Sequence, residues 1–174
     1  MKTKFAVILL LAGLFVGCST TAPSLLTRQD EFTGDNIGLL TDNLITGKTS
    51  ANAQIWLNAS RIVRKTGVIL FFLEVHVEST AGALNIEPGE TLTLVIDGQE
   101  LRYDGIGSGH SRKSTNGKFT EDAIYRTTSG DIRKIANAQS VQVKVMGSKT
   151  YLESSFSTDN IQKFKDFVKT YVDR

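Results

Sequence analysis

Twelve residues from Val68 to Ser79, Val-Ile-Leu-Phe-Phe-Leu-Glu-Val-His-Val-Glu-Ser, set the tightest limits on how this chain can fold. Read with period two, one face carries Ile69, Phe71, Leu73, Val75 and Val77 and is apolar throughout. The other carries Val68, Leu70 and Phe72, followed by Glu74, His76 and Glu78. Alternate residues of a strand point to opposite sides, so the first face belongs in a core. The second is apolar at one end only, which predicts a sheet whose outer surface is covered over part of its length. A cover is available near the C-terminus. Ile161, Phe164, Phe167, Val168 and Tyr171 recur at helical spacing behind Ser157 or Thr158 as cap, and Asp159 suits the positive end of the helix dipole. We expect this helix to lie over Val68, Leu70 and Phe72.

Strand signals dominate the rest of the middle. Gln54–Arg64 is β-rich, Lys65-Thr66-Gly67 turns tightly, and Val68–Ser79 returns as a long hairpin. Thr91–Ile96 and Gln99–Asp104 flank Asp97-Gly98, a two-residue hairpin turn. Lys118–Thr127 reads as another strand, and Val141–Met146 pairs with Thr150–Phe156 across Gly147-Ser148. Residues 31–53 hold one or two further short strands among Thr, Asn, Gly and Asp. A helix of about two turns, Asp131–Ala138, follows a cap in Thr128-Ser129-Gly130. The expected fold is mainly β: an antiparallel β-sandwich or open barrel of about seven strands, with one short helix and the amphipathic C-terminal helix packed on a sheet.

The N-terminus carries an address. Lys2 and Lys4 precede a 12-residue apolar stretch, Phe5–Val16, and no acid interrupts them. That is a secretory leader, well short of the roughly 20 residues a permanent transmembrane helix needs. Leu14-Phe15-Val16-Gly17-Cys18 resembles the bacterial lipoprotein box, with Phe15 standing where the family usually has Leu. The resemblance implies cleavage before Cys18, a diacylglycerol on its sulfur, and acylation of the new amine. At about 0.8 kcal/mol per buried methylene, two or three chains hold a protein on a membrane. Ser19, not an aspartate, follows the cysteine, which in the Gram-negative sorting rule implies the outer membrane, with the domain facing the periplasm. Residues 1–17 then form the signal peptide, 18–30 a lipidated tether containing Pro23, and 31–174 a single β-rich globular domain. The plan of that domain resembles uncharacterised envelope lipoproteins and no named family.

Cys18 is the only cysteine, which removes disulfides, cysteine-based zinc sites and thiol catalysis from the folded part. Stability must come from a core, and a chain of this length can bury roughly 68–70% of its unfolded surface. Charge excludes more. The chain has 20 basic and 18 acidic side chains, and the excess is Lys2 and Lys4, so the mature part is neutral. A neutral surface exerts no long-range pull on nucleic acid, and no nucleic-acid partner is expected.

Two constellations could carry chemistry. Glu74, His76 and Glu78 share one strand face at steps of roughly 6.5–7 Å. As metal ligands they would need a neighbouring strand to help them converge; as a plain surface they would be a solvated face with His76 paired to its neighbours. The segment Gly105–Gly117 contains Gly105, Gly107, Gly109, His110, Arg112 and Lys113 and no acid. Its glycines let backbone N–H groups approach an anion and its bases supply charge, so it is a candidate anion or partner loop. The competing reading is a mobile connection, since no helix opens after the glycines. Gly47-Lys48-Thr49 ends like a phosphate loop, but Asp42 stands where the leading glycine belongs.

Hydrolase signals are thin. There are two histidines, no Gly-x-Ser-x-Gly elbow and no His-Glu-x-x-His. Glu121-Asp122 are adjacent acids that a strand sends to opposite faces. Trp56 and Tyr103 suit packing better than sugar stacking. No cofactor is implied. The sequence is therefore read as a membrane-anchored envelope lipoprotein, a non-enzymatic accessory module that binds another envelope protein through a sheet edge or the glycine loop. The alternative is a small-ligand, anion or metal-ion binder, and a hydrolase comes third.

Overall fold

The computed structural model describes residues 24–45 and 52–173. The leader, Cys18, the start of the tether and Gly47-Lys48-Thr49 lie outside the described residues. Within them the chain forms β1 (Leu25–Gln29), β2 (Asn36–Leu40), β3 (Leu44–Ile45), β4 (Ala53–Val63) and β5 (Ile69–Ser79). Then follow β6 (Gly89–Ile96), β7 (Gln99–Gly105), β8 (Lys113–Thr115), β9 (Lys118–Thr127) and α1 (Ser129–Asn137). β10 (Val141–Met146), β11 (Tyr151–Ser155) and α2 (Thr158–Phe167) complete the fold, and α2 runs on into a π-helical turn, Val168–Val172.

All pairings are antiparallel and join the strands into one sheet in the order β1-β2-β4-β5-β9-β7-β6-β10-β11. β3 adds to β4 and β8 to β9. This single sheet of 11 strands replaces the expected seven-strand sandwich or barrel. Seven strands fall where the alternation placed them. β2 and β3, of five and two residues, are the short strands expected within residues 31–53; β1 and β8, of five and three residues, are too short or too polar for the pattern to register. β1 also begins inside the segment expected as tether.

What makes one sheet instead of two is a single residue pair, Gly105 opposite Tyr125, which joins β7 to β9. A Cβ on Gly105 would lie 2.6 Å from the Tyr125 ring and 2.9 Å from the Ile124 carbonyl oxygen, so only glycine allows this approach. Beyond that junction the apolar faces of both halves meet in one cluster. Leu57, Leu73 and Val75 come from one side, Leu92, Leu94 and Val143 from the other, all at most 1% exposed.

Local signals explain the punctuation. Asp97 and Gly98 both take positive φ, 48° and 86°, as a tight hairpin turn demands. Thr128 caps α1 by accepting from Asp131 N, and Ser157 with Asn160 forms a capping box at α2. Ile161, Phe164, Phe167, Val168 and Tyr171 are all buried. The helix does not lie over Val68, Leu70 and Phe72. It packs on the opposite face, where Tyr171 sits against Gly38 so closely that a Cβ there would be 2.6 Å from the ring. Asn160 Nδ2 fixes its start by donating to Asn43 Oδ1 and Leu44 O, each at 2.8 Å. The unbroken apolar row is the larger partner, and Gly38 leaves the room an aromatic ring needs. The outer face therefore keeps its apolar half uncovered by any described element, with Val68 48% exposed.

Candidate functional site

The segment Gly105–Gly117 is not a 13-residue structureless loop. Its second half is a hairpin, β8 returning through Asn116-Gly117 into β9, with φ of 52° and 75° at the turn. Its first half is pinned inward by Ser108, which is fully buried. Ser108 N donates to Ile86 O at 2.9 Å, and its hydroxyl donates to Glu121. Gly107 has φ of 72°, and a Cβ there would be 2.8 Å from the Glu87–Pro88 backbone. Arg112 turns toward the same point, with Nε 3.5 Å from Glu121 Oε2 and Nη2 donating to Ser108 Oγ at 3.3 Å. Gly109, His110 and Lys113 remain exposed. Of the charges that suggested an anion site, Arg112 is thus directed at an internal carboxylate.

That carboxylate is the least expected feature of the chain. Glu121 lies on the apolar face of β9, 1% exposed, next to Ala123 and Tyr125. Its Oε1 accepts from Asn85 N at 3.0 Å, and its Oε2 from Ile86 N at 3.2 Å and from the Ser108 hydroxyl. Burial opposes its ionisation. The Ser108 bond and the backbone N–H groups of Asn85, Ile86 and Leu84 outweigh that and hold the carboxyl below its ordinary value. Glu121 therefore clamps the 84–86 segment and the glycine loop to the sheet.

On the outer face, Trp56, His76 and Asp122 stand side by side on β4, β5 and β9. His76 Nδ1 lies 2.6 Å from Asp122 Oδ1 and Nε2 lies 3.6 Å from Glu78 Oε1. Trp56 meets the imidazole edge to face at 5.1 Å between centroids. Lys118 Nζ, 2.6 Å from Glu78 Oε2, is the main reason the Glu78 carboxyl sits below its ordinary value. Glu74 is one step further along, opposite Asn58 and Ile124. So His76 and Glu78 are brought together, with Asp122 in place of Glu74, and a lysine neutralises part of the set. Among the described residues no three His, Cys, Asp or Glu side chains are arranged to hold a metal ion.

β11 forms one edge of the sheet, pairing only with β10 among the described strands, and β1 forms the other. Gly147 N donates to Thr150 O and Phe156 N to Val141 O. With the ladder's alternation, this turns the backbone groups of Leu152 and Ser154 toward β10 and those of Tyr151, Glu153 and Ser155 outward. Two clefts flank this edge. One, of about 440 Å³, is lined by Thr93, Val95, Gln142, Lys144, Glu153 and Ser155, among others. The other, of about 460 Å³, is lined by Ala53, Val77, Ala81, Leu84, Tyr151 and Leu152, among others, and Glu153 borders it too. Lys144 spans the rim, 3.2 Å from Glu153 Oε1 and 3.9 Å from the Tyr151 ring centroid.

Reading the sequence missed the Ser108–Glu121 clamp. The signal was present, because Glu121-x-Ala123-x-Tyr125 puts an acid in phase with an apolar face, where an unpaired carboxylate cannot stay. No helix among the described residues is long and apolar enough to cross a membrane. Compared with family models, curated proteins and solved structures, the chain matches none.

Proposed function

We propose that the chain is a lipid-anchored protein of the bacterial envelope, held through Cys18, whose working part is a binding surface for an extended segment of another envelope protein. Anchoring rests on the Leu14–Cys18 box and on Cys18 being the only cysteine. The observation that carries the binding half is the outward-facing backbone of β11 between two clefts. An added strand draws its affinity from main-chain hydrogen bonds and its specificity from pockets for alternate side chains. The glycine loop is less suited to this work, since Ser108 and Arg112 bind it to Glu121.

A photo-crosslinking side chain introduced at Tyr151, in cells, should capture one discrete partner, whereas the same group at Ile124 on the far side of the sheet should not. Glu153→Pro removes an outward N–H while sparing the β10 ladder, which edge strands tolerate. It should lower capture about tenfold, the scale of one lost hydrogen bond plus misfit, with little change in melting temperature. Equal capture at both positions, or full binding by Glu153→Pro, would remove β11 as the site.

A further inference from the structure

Resting on the lipid-anchor reading above, we infer that the apolar half of the outer sheet face, with the β4–β5 turn, is the surface on which the domain lies against an anionic lipid layer. The registers put two rows of side chains on this face. Ile37, Ile62 and Leu70 form one, and Leu26, Leu39, the buried Ser60 and Phe72 the other. No described element covers them. The exposure grows toward one end of the sheet, where Val68 is 48% and Phe32, in the β1–β2 turn, 99% exposed. A contiguous apolar surface of this kind on a folded domain marks a contact with a protein or a membrane.

Charge and connectivity select the membrane. Arg28 on β1 and Arg126 on β9 flank the two rows at opposite sides, in register with Ile37 and Phe72. Arg64 and Lys65 form the turn at the exposed end. None of these four cations belongs to an ion pair among the described residues. The three acids of the β1–β2 segment are differently placed. Asp30 accepts from Phe32 N and Thr33 N within its own turn, which holds its carboxyl below the ordinary value, and Asp35 accepts from Lys65 N. Glu31 is exposed. An apolar surface rimmed by unpaired bases matches the headgroup boundary of an anionic bilayer.

The chain also arrives at this surface. Ser24 O accepts from Thr41 N at 2.8 Å, two residue pairs beyond Leu26 and Leu39, so the polypeptide enters the sheet at the border of the apolar half. The six residues Ser19–Ser24 separate it from Cys18, a reach of at most about 20 Å. A lipid on Cys18 thus keeps the domain within its own diameter of the bilayer, and the polar half of the same face, with His76 and Asp122, lies further along the strands beyond the apolar contact. The short tether raises the effective concentration of a face too weak to bind lipid alone.

The test uses mature protein purified from cells and placed in vesicles of phosphatidylethanolamine and phosphatidylglycerol with brominated acyl chains, which quench nearby tryptophan. Trp56, the only natural tryptophan, lies in the polar half. Wild type should therefore change little, while emission of Val68→Trp should fall about twofold, as expected for a side chain in the headgroup–acyl boundary. Replacing phosphatidylglycerol by phosphatidylcholine, or adding Arg64→Ser and Lys65→Ser, should abolish most of that difference. If the acylated protein floats with the vesicles and Val68→Trp is unquenched, the face does not lie on lipid and a protein partner becomes its occupant; the anchor then stands alone. Quenching that ignores headgroup charge removes the anionic requirement. A chain without acyl groups that fails to float removes the anchor and the inference together.

Discussion

Glu121→Ala should destabilise the fold by about 3 kcal/mol, measured by urea unfolding at neutral pH with Trp56 emission as the probe. The substitution leaves the backbone N–H groups of Asn85 and Ile86 and the Ser108 hydroxyl without their acceptor in a site closed to water. A buried donor left unmatched costs about 1–3 kcal/mol, and three lose their partner here, of which the hydroxyl can turn to Ile86 O. The isosteric Glu121→Gln should recover little. Both carboxylate oxygens receive a backbone N–H, so the new amide nitrogen faces a donor whichever way it is flipped. Acid should have the same effect as the substitution. The folded-state carboxyl lies below its ordinary value of 4.5, so its contribution is complete above that pH and is lost as pH falls through the folded value. Glu78 adds to the loss in the same direction. The Glu121→Gln variant should therefore show a shallower fall in stability on acidification than wild type. A Glu121→Ala protein within about 1 kcal/mol of wild type would contradict the clamp.

Gly105→Val should cost a similar amount, about 3 kcal/mol, by overpacking and not by loss of an acceptor. A side chain at this position would start 2.6 Å from the ring of Tyr125, which is fully buried and held by a 3.0 Å hydrogen bond to Thr91 Oγ1. The ring cannot swing away without breaking that bond, and the Ile124 carbonyl oxygen closes the other side at 2.9 Å. The strain falls on the single residue pair that joins the two halves of the sheet. Tyr125→Leu in the same chain should relieve part of it, so the double variant should lose less than the sum of the singles. Gly109→Ala provides the contrast. Nothing lies within 4 Å of a Cβ there, and the change should stay within about 0.5 kcal/mol. Two glycines of one sequence motif thus divide into a packing requirement and a free surface position.

Much of the architecture was legible because alternation is a local signal. The stretch Val68–Ser79, which holds β5, shows its two faces in twelve residues, and Asp97-Gly98 announces its own turn. The C-terminal helix was legible too, since its cap and its apolar stripe are written in adjacent residues. Where the helix docks was not. Both faces of β5 offered apolar residues, and the choice turned on Gly38, more than 100 residues away, making room for Tyr171. Strand order was hidden for the same reason, because the joining pair Gly105–Tyr125 looks in sequence like part of a flexible glycine run. The candidate sites show the limit most clearly. His76 and Glu78 were rightly placed on one face, but Asp122, which closes on the imidazole, belongs to a strand 46 residues further on. The glycine loop looked free because its partner Glu121 lies outside it, buried where composition gives no warning.

The central claim is the anchor, and one measurement reaches it directly: the intact mass of the N-terminal peptide of the mature protein isolated from its own cells. The account predicts cleavage before Cys18 and a peptide beginning at that residue with a diacylglycerol thioether, with Cys18→Ser leaving the leader uncleaved and no lipid attached. A mature chain that starts elsewhere, or that carries Cys18 as an unmodified thiol, would contradict it.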